Sequence, residues 1–187
     1  MSPPLARLAA RLAGLLLALA ATAAAPAAQA ETAPAIQVKA AYLYQFGGFV
    51  EWPPQSFPSA DSAFVIGLIG ADDVAAELER IVASRSVHGR RVEVRRLRAG
   101  DPLGGVHVLF VGLEETRRIG QILAAADERP LLVVTDAPGM PPGSAINFTT
   151  VDNKLRFDVD LAAAQRRQLK ISSRLLGVAR KVLPGRG

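Results

Sequence analysis

Three nearly unbroken apolar runs constrain this chain more than any other feature: Phe64-Val65-Ile66-Gly67-Leu68-Ile69, Val106 to Val111 and Leu131 to Thr135. A strand with one wet face alternates apolar and polar residues, so runs like these suit strands covered on both faces. Between them lie helix-like segments. After the first run Val74, Leu78, Ile81 and Val82 fall on one stripe, and Glu114 to Asp127 reads as a surface helix before the third. Strands alternating with helices at these lengths predict an α/β fold: a three-layer sandwich with a mostly parallel central sheet and flanking helices.

The flanking segments add detail. From Ile36 to Trp52 the apolar residues Ile36, Ala40, Leu43, Tyr44, Phe46 and Val50 recur at helical steps until Pro53-Pro54 stops them. Gly47-Gly48 inside that helix weakens it by roughly 1 kcal/mol per glycine and points to a close backbone approach or a bend. Asp72 or Asp73 is placed to cap the next helix. His88-Gly89 turns the chain into Val92 to Leu97, an arginine-studded strand expected at a sheet edge. After a Pro- and Gly-rich loop, Asp136 to Ser144, the runs Ala145 to Val151 and Leu155 to Val159 read as a C-terminal β-hairpin, because Asp152-Asn153 tolerates the positive φ of a tight turn. Apolar stripes resume from Leu161 to Val182 with a break at Leu169-Lys170-Ile171. There Ser172 or Ser173 caps a last helix burying Leu175, Leu176, Val178, Ala179 and Val182.

Residues 1–30 have the three parts of a cleaved secretory signal: Arg7 and Arg11, the apolar stretch Leu12 to Ala25, and small residues at Ala28-Gln29-Ala30 before Glu31. Fourteen apolar residues are too few to span about 30 Å of hydrocarbon comfortably. The expected product is one exported domain, residues 31–187, in a periplasm poor in NAD, ATP and nucleic acid. The formal charge of +5 falls to +3 once Arg7 and Arg11 leave, too little for a nucleic-acid surface. There is no cysteine, which excludes disulfides, thiolate metal sites, a thiol nucleophile and a lipid-anchoring cysteine.

Catalytic patterns are weak. Gly67-Leu68-Ile69-Gly70 lacks the second glycine that lets a dinucleotide pyrophosphate approach the backbone. The only histidines are His88, in a turn, and His107, in an apolar run where a hydrogen-bonded structural role is expected. Ser144, in Pro141-Pro142-Gly143-Ser144-Ala145, is not on a nucleophile elbow. The acidic pairs Asp72-Asp73, Glu114-Glu115 and Asp158/Asp160 stand where helices begin, and there they favour the helix dipole over an oxygen-ligand metal site. The reading calls for no enzyme activity, no metal and no cofactor. It leaves the aromatic and proline cluster Phe49, Trp52, Pro53, Pro54 and Phe57, which is either a plug over the core or a surface for a protein partner.

Two segments carry a family likeness. Lys39-Ala40-Ala41-Tyr42-Leu43-Tyr44-Gln45-Phe46, continued by Phe49-Val50-Glu51-Trp52-Pro53, resembles the K-A-A-x-L-x-x-F…F-x-x-W-P opening of the YfiR family. Ile146-Asn147-Phe148, Leu155 to Leu161 and Leu169 to Leu176 are similar to its hairpin and closing helix, in the same order. The resemblance implies a periplasmic, dimeric repressor that binds the sensor region of a membrane-bound diguanylate cyclase, lowers cyclic-di-GMP and biofilm formation, and is sequestered by an outer-membrane lipoprotein. Some members carry disulfides; this chain has none, so redox control does not carry over. The expected partner surface is Phe49, Trp52, Pro53 and Phe57, with Arg156 and Arg174 as polar contacts. The alternative expectation is a periplasmic small-ligand binder using the loops Gly70-Ala71-Asp72 and Asp136 to Ser144 at strand ends.

Overall fold

A computed structural model of the chain describes residues 32–126 and 129–185. The expected leader, residues 1–30, and Asp127 lie outside the described residues. The centre of the fold is β2, Phe64–Ile69, buried at all six positions, as a continuous apolar run requires. It lies between β4 (Arg90–Leu97) and β5 (Val108–Val111), parallel to both. The sheet continues through β6 (Leu132–Asp136), β7 (Ile146–Val151), β8 (Lys154–Asp160) and β10 (Lys181–Leu183), and β3 (Ser86–Val87) closes the other side. Among the described residues eight strands form this sheet, in the order β10-β8-β7-β6-β5-β2-β4-β3. Only the β7–β8 and β3–β4 pairings are antiparallel.

Side-chain alternation along these strands separates two cores. Phe64, Ile66 and Leu68 of β2 join Val108, Phe110, Val134, Phe148 and Phe157 on one face. That face is covered by α1 (Ala33–Phe49), α2 (Asp72–Val82), α4 (Leu161–Arg166) and α5 (Ser173–Leu176). Val65, Ile69, Leu109, Val111 and Val133 point the other way, against Ile122 and Leu123 of α3 (Ile119–Ala125). The result is the three-layer α/β sandwich, with the hairpin β7–β8 built into its sheet. In the larger core Tyr42 and Phe46 of α1 pack with Phe148 and Phe157 at centroid distances of 5.2–6.1 Å. Each such ring contributes about 1.5–3 kcal/mol by burial.

Several boundaries depart from the sequence reading. The first helix ends at Phe49 rather than Trp52, because Val50-Glu51 leave it as β1 and pair antiparallel with β9, Lys170–Ile171. Gly47 admits side chains, not a backbone: a Cβ there would stand 3.0 Å from the Phe64 ring and 3.2 Å from Val87. Neither Asp72 nor Asp73 caps α2; Ala71 is the N-cap and both acids lie in the first turn. The arginine-studded run Val92–Leu97 does stand at an edge, paired with β2 on one side only; the short β3 reaches no further than Arg90 and Arg91. The segment 114–126 begins as a 3-10 turn over Leu113–Arg118 before α3. The final helix is only four residues long, capped by Ser172 through Arg174 N–H, and the chain then joins the sheet as β10 parallel to β8. Val178 and Val182 are therefore exposed rather than buried.

Candidate interaction surface

The chain leaving α1 crosses the ends of several strands, and each residue of that crossing is held by a different element. The Phe49 carbonyl accepts the Ser172 N–H at 2.9 Å, continuing the β1–β9 ladder. Trp52 packs edge-on against Phe64, with centroids 5.0 Å apart. Pro53 leads into a 3-10 turn, Pro54–Ser56. Phe57 then stacks on His107 (4.4 Å, 13°), which stacks on Phe64 (5.1 Å, 22°). The Arg90 guanidinium lies 4.0 Å from the Phe57 centroid, and its Nη1 donates to the carbonyls of Ser59, Ala60 and Ser62 at 2.7–2.9 Å. Residues 52–62 form a strap across the core, fastened at His107 and Arg90.

His107 is in a defined protonation state. Its Nδ1 accepts the Val65 N–H at 3.1 Å, so Nε2 carries the proton and donates it to the Ser56 carbonyl at 3.1 Å. Burial pushes its pKa below 6.5; the Ser56 hydrogen bond opposes this, and Arg90 and Arg95 add to the lowering. With Nδ1 accepting from Val65 and Nε2 donating to Ser56, the neutral ring joins the strap to β2. Two buried polar groups of the strap find no hydrogen-bond partner among the described residues: Trp52 Nε1 and Ser56 Oγ.

Phe49, Trp52, Pro53 and Phe57 are all partly buried, the three aromatics pack against the larger core, and Trp52 and Phe57 meet at the rings of Phe64 and His107. This packing is the plug of the sequence reading, while its outer side remains open to solvent. Arg174 is exposed one residue beyond the start of α5 and adjoins Phe49 through Ser172. Arg156 is not brought there. It alternates with Leu155 and Phe157, which face α1, so it projects from the opposite face of the sheet. The pins His107–Ser56 and Arg90–Ser59 carry no signal in the sequence, since both contacts join residues more than thirty positions apart with no local pattern.

Other candidate positions are occupied by structural contacts. Ser144 is fully buried and bonded to Thr135 and to the Ile146 carbonyl. Asn147 holds both backbone groups of Ala137 through its side chain. Lys39 of α1 is buried in an ion pair with Asp136 at the end of β6. Asp160 caps α4 by accepting the Ala163 N–H at 3.0 Å, and Asp158 pairs with Arg180. His88, at φ 50°, makes the β3–β4 turn, and its Nε2 lies 3.2 Å from the Val50 carbonyl. No group of three metal-type side chains occurs among the described residues.

At the end of β2, where an open α/β sheet offers a ligand crevice, Gly112 N–H continues the β2–β5 ladder to the Ile69 carbonyl at 2.9 Å, and Glu115 packs on Gly70. A cavity of about 320 Å³ lies beside it, lined by Ile69, Leu103, Ile122, Asp101, Arg118 and Gln121 among others. No helix of the described residues is long and apolar enough to cross a membrane.

A family model described as YfiR/HmsC-like matches residues 36–180, from the first turn of α1 to the residue before β10. No curated protein matches the chain.

Proposed function

The chain belongs to the YfiR/HmsC-like family, and on that premise we propose that it is a non-enzymatic periplasmic regulator that represses a membrane-bound diguanylate cyclase by binding the cyclase's periplasmic sensor region. The observation that carries this reading is the family match over 36–180, which spans every element of the fold but the last strand. The family points to periplasmic regulation of diguanylate cyclase signalling, and the leader-like residues 1–30 suit export with cleavage before Glu31.

A repressor of this kind acts by stoichiometric binding. It shifts the cyclase only by preferring its inactive form, and moving a two-state equilibrium from 99:1 to 1:99 takes about 5.5 kcal/mol of preference. The proposed contact surface is the outer side of Phe49, Trp52, Pro53 and Phe57, with Arg174 at its border. Aromatic side chains fixed by a packed core suit such a surface, because little rotamer entropy is lost on binding. Arg156, on the far face, is proposed to serve a second contact, either a homodimer partner or an outer-membrane lipoprotein that withdraws the repressor. Deleting the gene should raise cellular cyclic-di-GMP and surface attachment; unchanged levels in a strain possessing the cyclase would contradict the proposal.

A second reading, a periplasmic small-ligand binder, is favoured by the cavity of about 320 Å³, which combines an apolar floor with Asp101, Arg118 and Gln121. A metabolite screen by thermal shift tests it, since a ligand at 100 times its Kd adds about 2.7 kcal/mol of stability.

A further inference from the structure

We infer that residues 52–62 form an acid-released strap, in which protonation of His107 unseats Ser56 and Phe57 and frees the aromatic face. The hydrogen-bond directions carry this. Val65 N–H is a donor aimed at Nδ1 from 3.1 Å, so a proton on Nδ1 would set two donors against each other. Swinging the ring to relieve that clash removes the Nε2 donor from the Ser56 carbonyl and disturbs the stack of Phe57, His107 and Phe64.

Among the described residues no carboxylate acts on the ring to balance an imidazolium. The charged groups that face it are Arg90 and Arg95 on β4. Glu93, between them on that strand, is engaged by Arg91 and Arg95. The β2 and strap residues that bond or stack on the ring are Phe64, Val65, Ser56 and Phe57, with Trp52 edge-on at 6.5 Å, none of them ionisable. His88, exposed in the β3–β4 turn, faces Trp52 at 6.4 Å rather than His107.

The closed strap also leaves two needs unmet. Trp52 Nε1 and Ser56 Oγ are buried without partners among the described residues, and lifting the strap hands both to water. Closure is thus opposed by these two groups and held by a tautomer that acid destroys. The face released in this way is the one proposed to meet the cyclase; only the consequence for repression rests on that reading, not the release itself.

The chain reports on its own strap, because Trp52 is its only tryptophan. The test follows emission and imidazole NMR shifts of the purified protein from pH 8 to 4 in a His88→Gln background, which removes the other histidine near the indole. Expected is a red shift of emission with a midpoint below 6.5 that coincides with His107 titration while far-UV circular dichroism is unchanged. The same protein with His107→Phe should show no such transition. A His107 that titrates at 6.5 or above, or titrates with no change in emission, overturns the inference, as does a transition that survives in the His107→Phe protein. Should that variant fail to fold, the NMR titration of the His88→Gln protein decides alone. The measurement uses no partner, so a strap that opens without cyclase binding, or binding without strap opening, separates this inference from the proposed function.

Discussion

The carbonyl oxygen of Gly70 occupies the space in which a side chain at Gly112 would begin. The ends of β2 and β5 are thereby drawn together, and the Gly112 N–H reaches the Ile69 carbonyl. Gly112→Ala should cost about 3 kcal/mol, the upper range for forced overpacking, because the opposing atom is backbone and cannot rotate away. Urea unfolding measures the destabilisation; a change under about 0.5 kcal/mol, the range of an ordinary surface substitution, would show that the two loops separate freely.

Asp136 is the carboxylate partner of the buried Lys39 ammonium, and it ties the K-A-A segment of α1 to the end of β6. Asp136→Asn removes that partner from a buried cation and should destabilise by roughly 3 kcal/mol. Replacing both residues with Lys39→Met and Asp136→Leu should recover part of this. Equal destabilisation in the single and double variants would argue against the pair.

Asp152 and Asn153, at φ 48° and 60°, make the two-residue turn of the β7–β8 hairpin. Asn153→Ala places a Cβ-bearing residue with no local hydrogen-bonding group in the left-handed region and should cost about 1 kcal/mol. Asn153→Gly should be neutral or stabilising. Thermal unfolding of the two variants in parallel gives the ordering.

That turn shows how much the sequence alone makes legible. Asp-Asn between two alternating runs encodes a hairpin locally, and the unbroken run Phe64–Ile69 encodes a doubly covered strand with its limits intact. Strands β1, β9 and β10 are not legible in this way. Two or three residues long, they exist only because tertiary pairing supplies their partners, and the stripe Leu175, Leu176, Val178, Ala179, Val182 imitates a helix that Gly177 and the β8 edge interrupt. Among the site residues, the aromatic cluster is visible as composition. Its fastening by His107 and Arg90 is not, because hydrogen bonds to backbone carbonyls leave no side-chain pattern. Arg156 and Arg174 look equivalent as exposed arginines, and only the sheet alternation separates them.

His107 also links stability to pH. Its folded pKa is depressed below 6.5, so its contribution is fully present above 6.5 and declines as pH falls through the folded value. The urea midpoint of the parent should therefore decline below pH 6.5 more steeply than that of His107→Phe. Parallel declines would assign the acid sensitivity to carboxylates instead.

At the proposed contact surface the informative variant is Arg174→Glu. Arg174 is exposed and its side chain makes no hydrogen bond or ion pair among the described residues, so stability should change by less than about 0.5 kcal/mol. Binding to the cyclase sensor region should weaken at least tenfold. Trp52→Ala is less informative because removing a ring packed on Phe64 should cost about 3 kcal/mol of stability by itself. Calorimetric titration against the purified sensor region reads the difference.

The most direct measurement is cellular cyclic-di-GMP in a deletion strain that carries the cyclase, complemented either with the full chain or with one whose apolar stretch Leu12 to Ala25 is interrupted by charges. Deletion should raise the nucleotide, the full chain should restore the low level, and the unexported chain should not. A level that never moves, or one restored equally by both chains, would contradict repression from the periplasm.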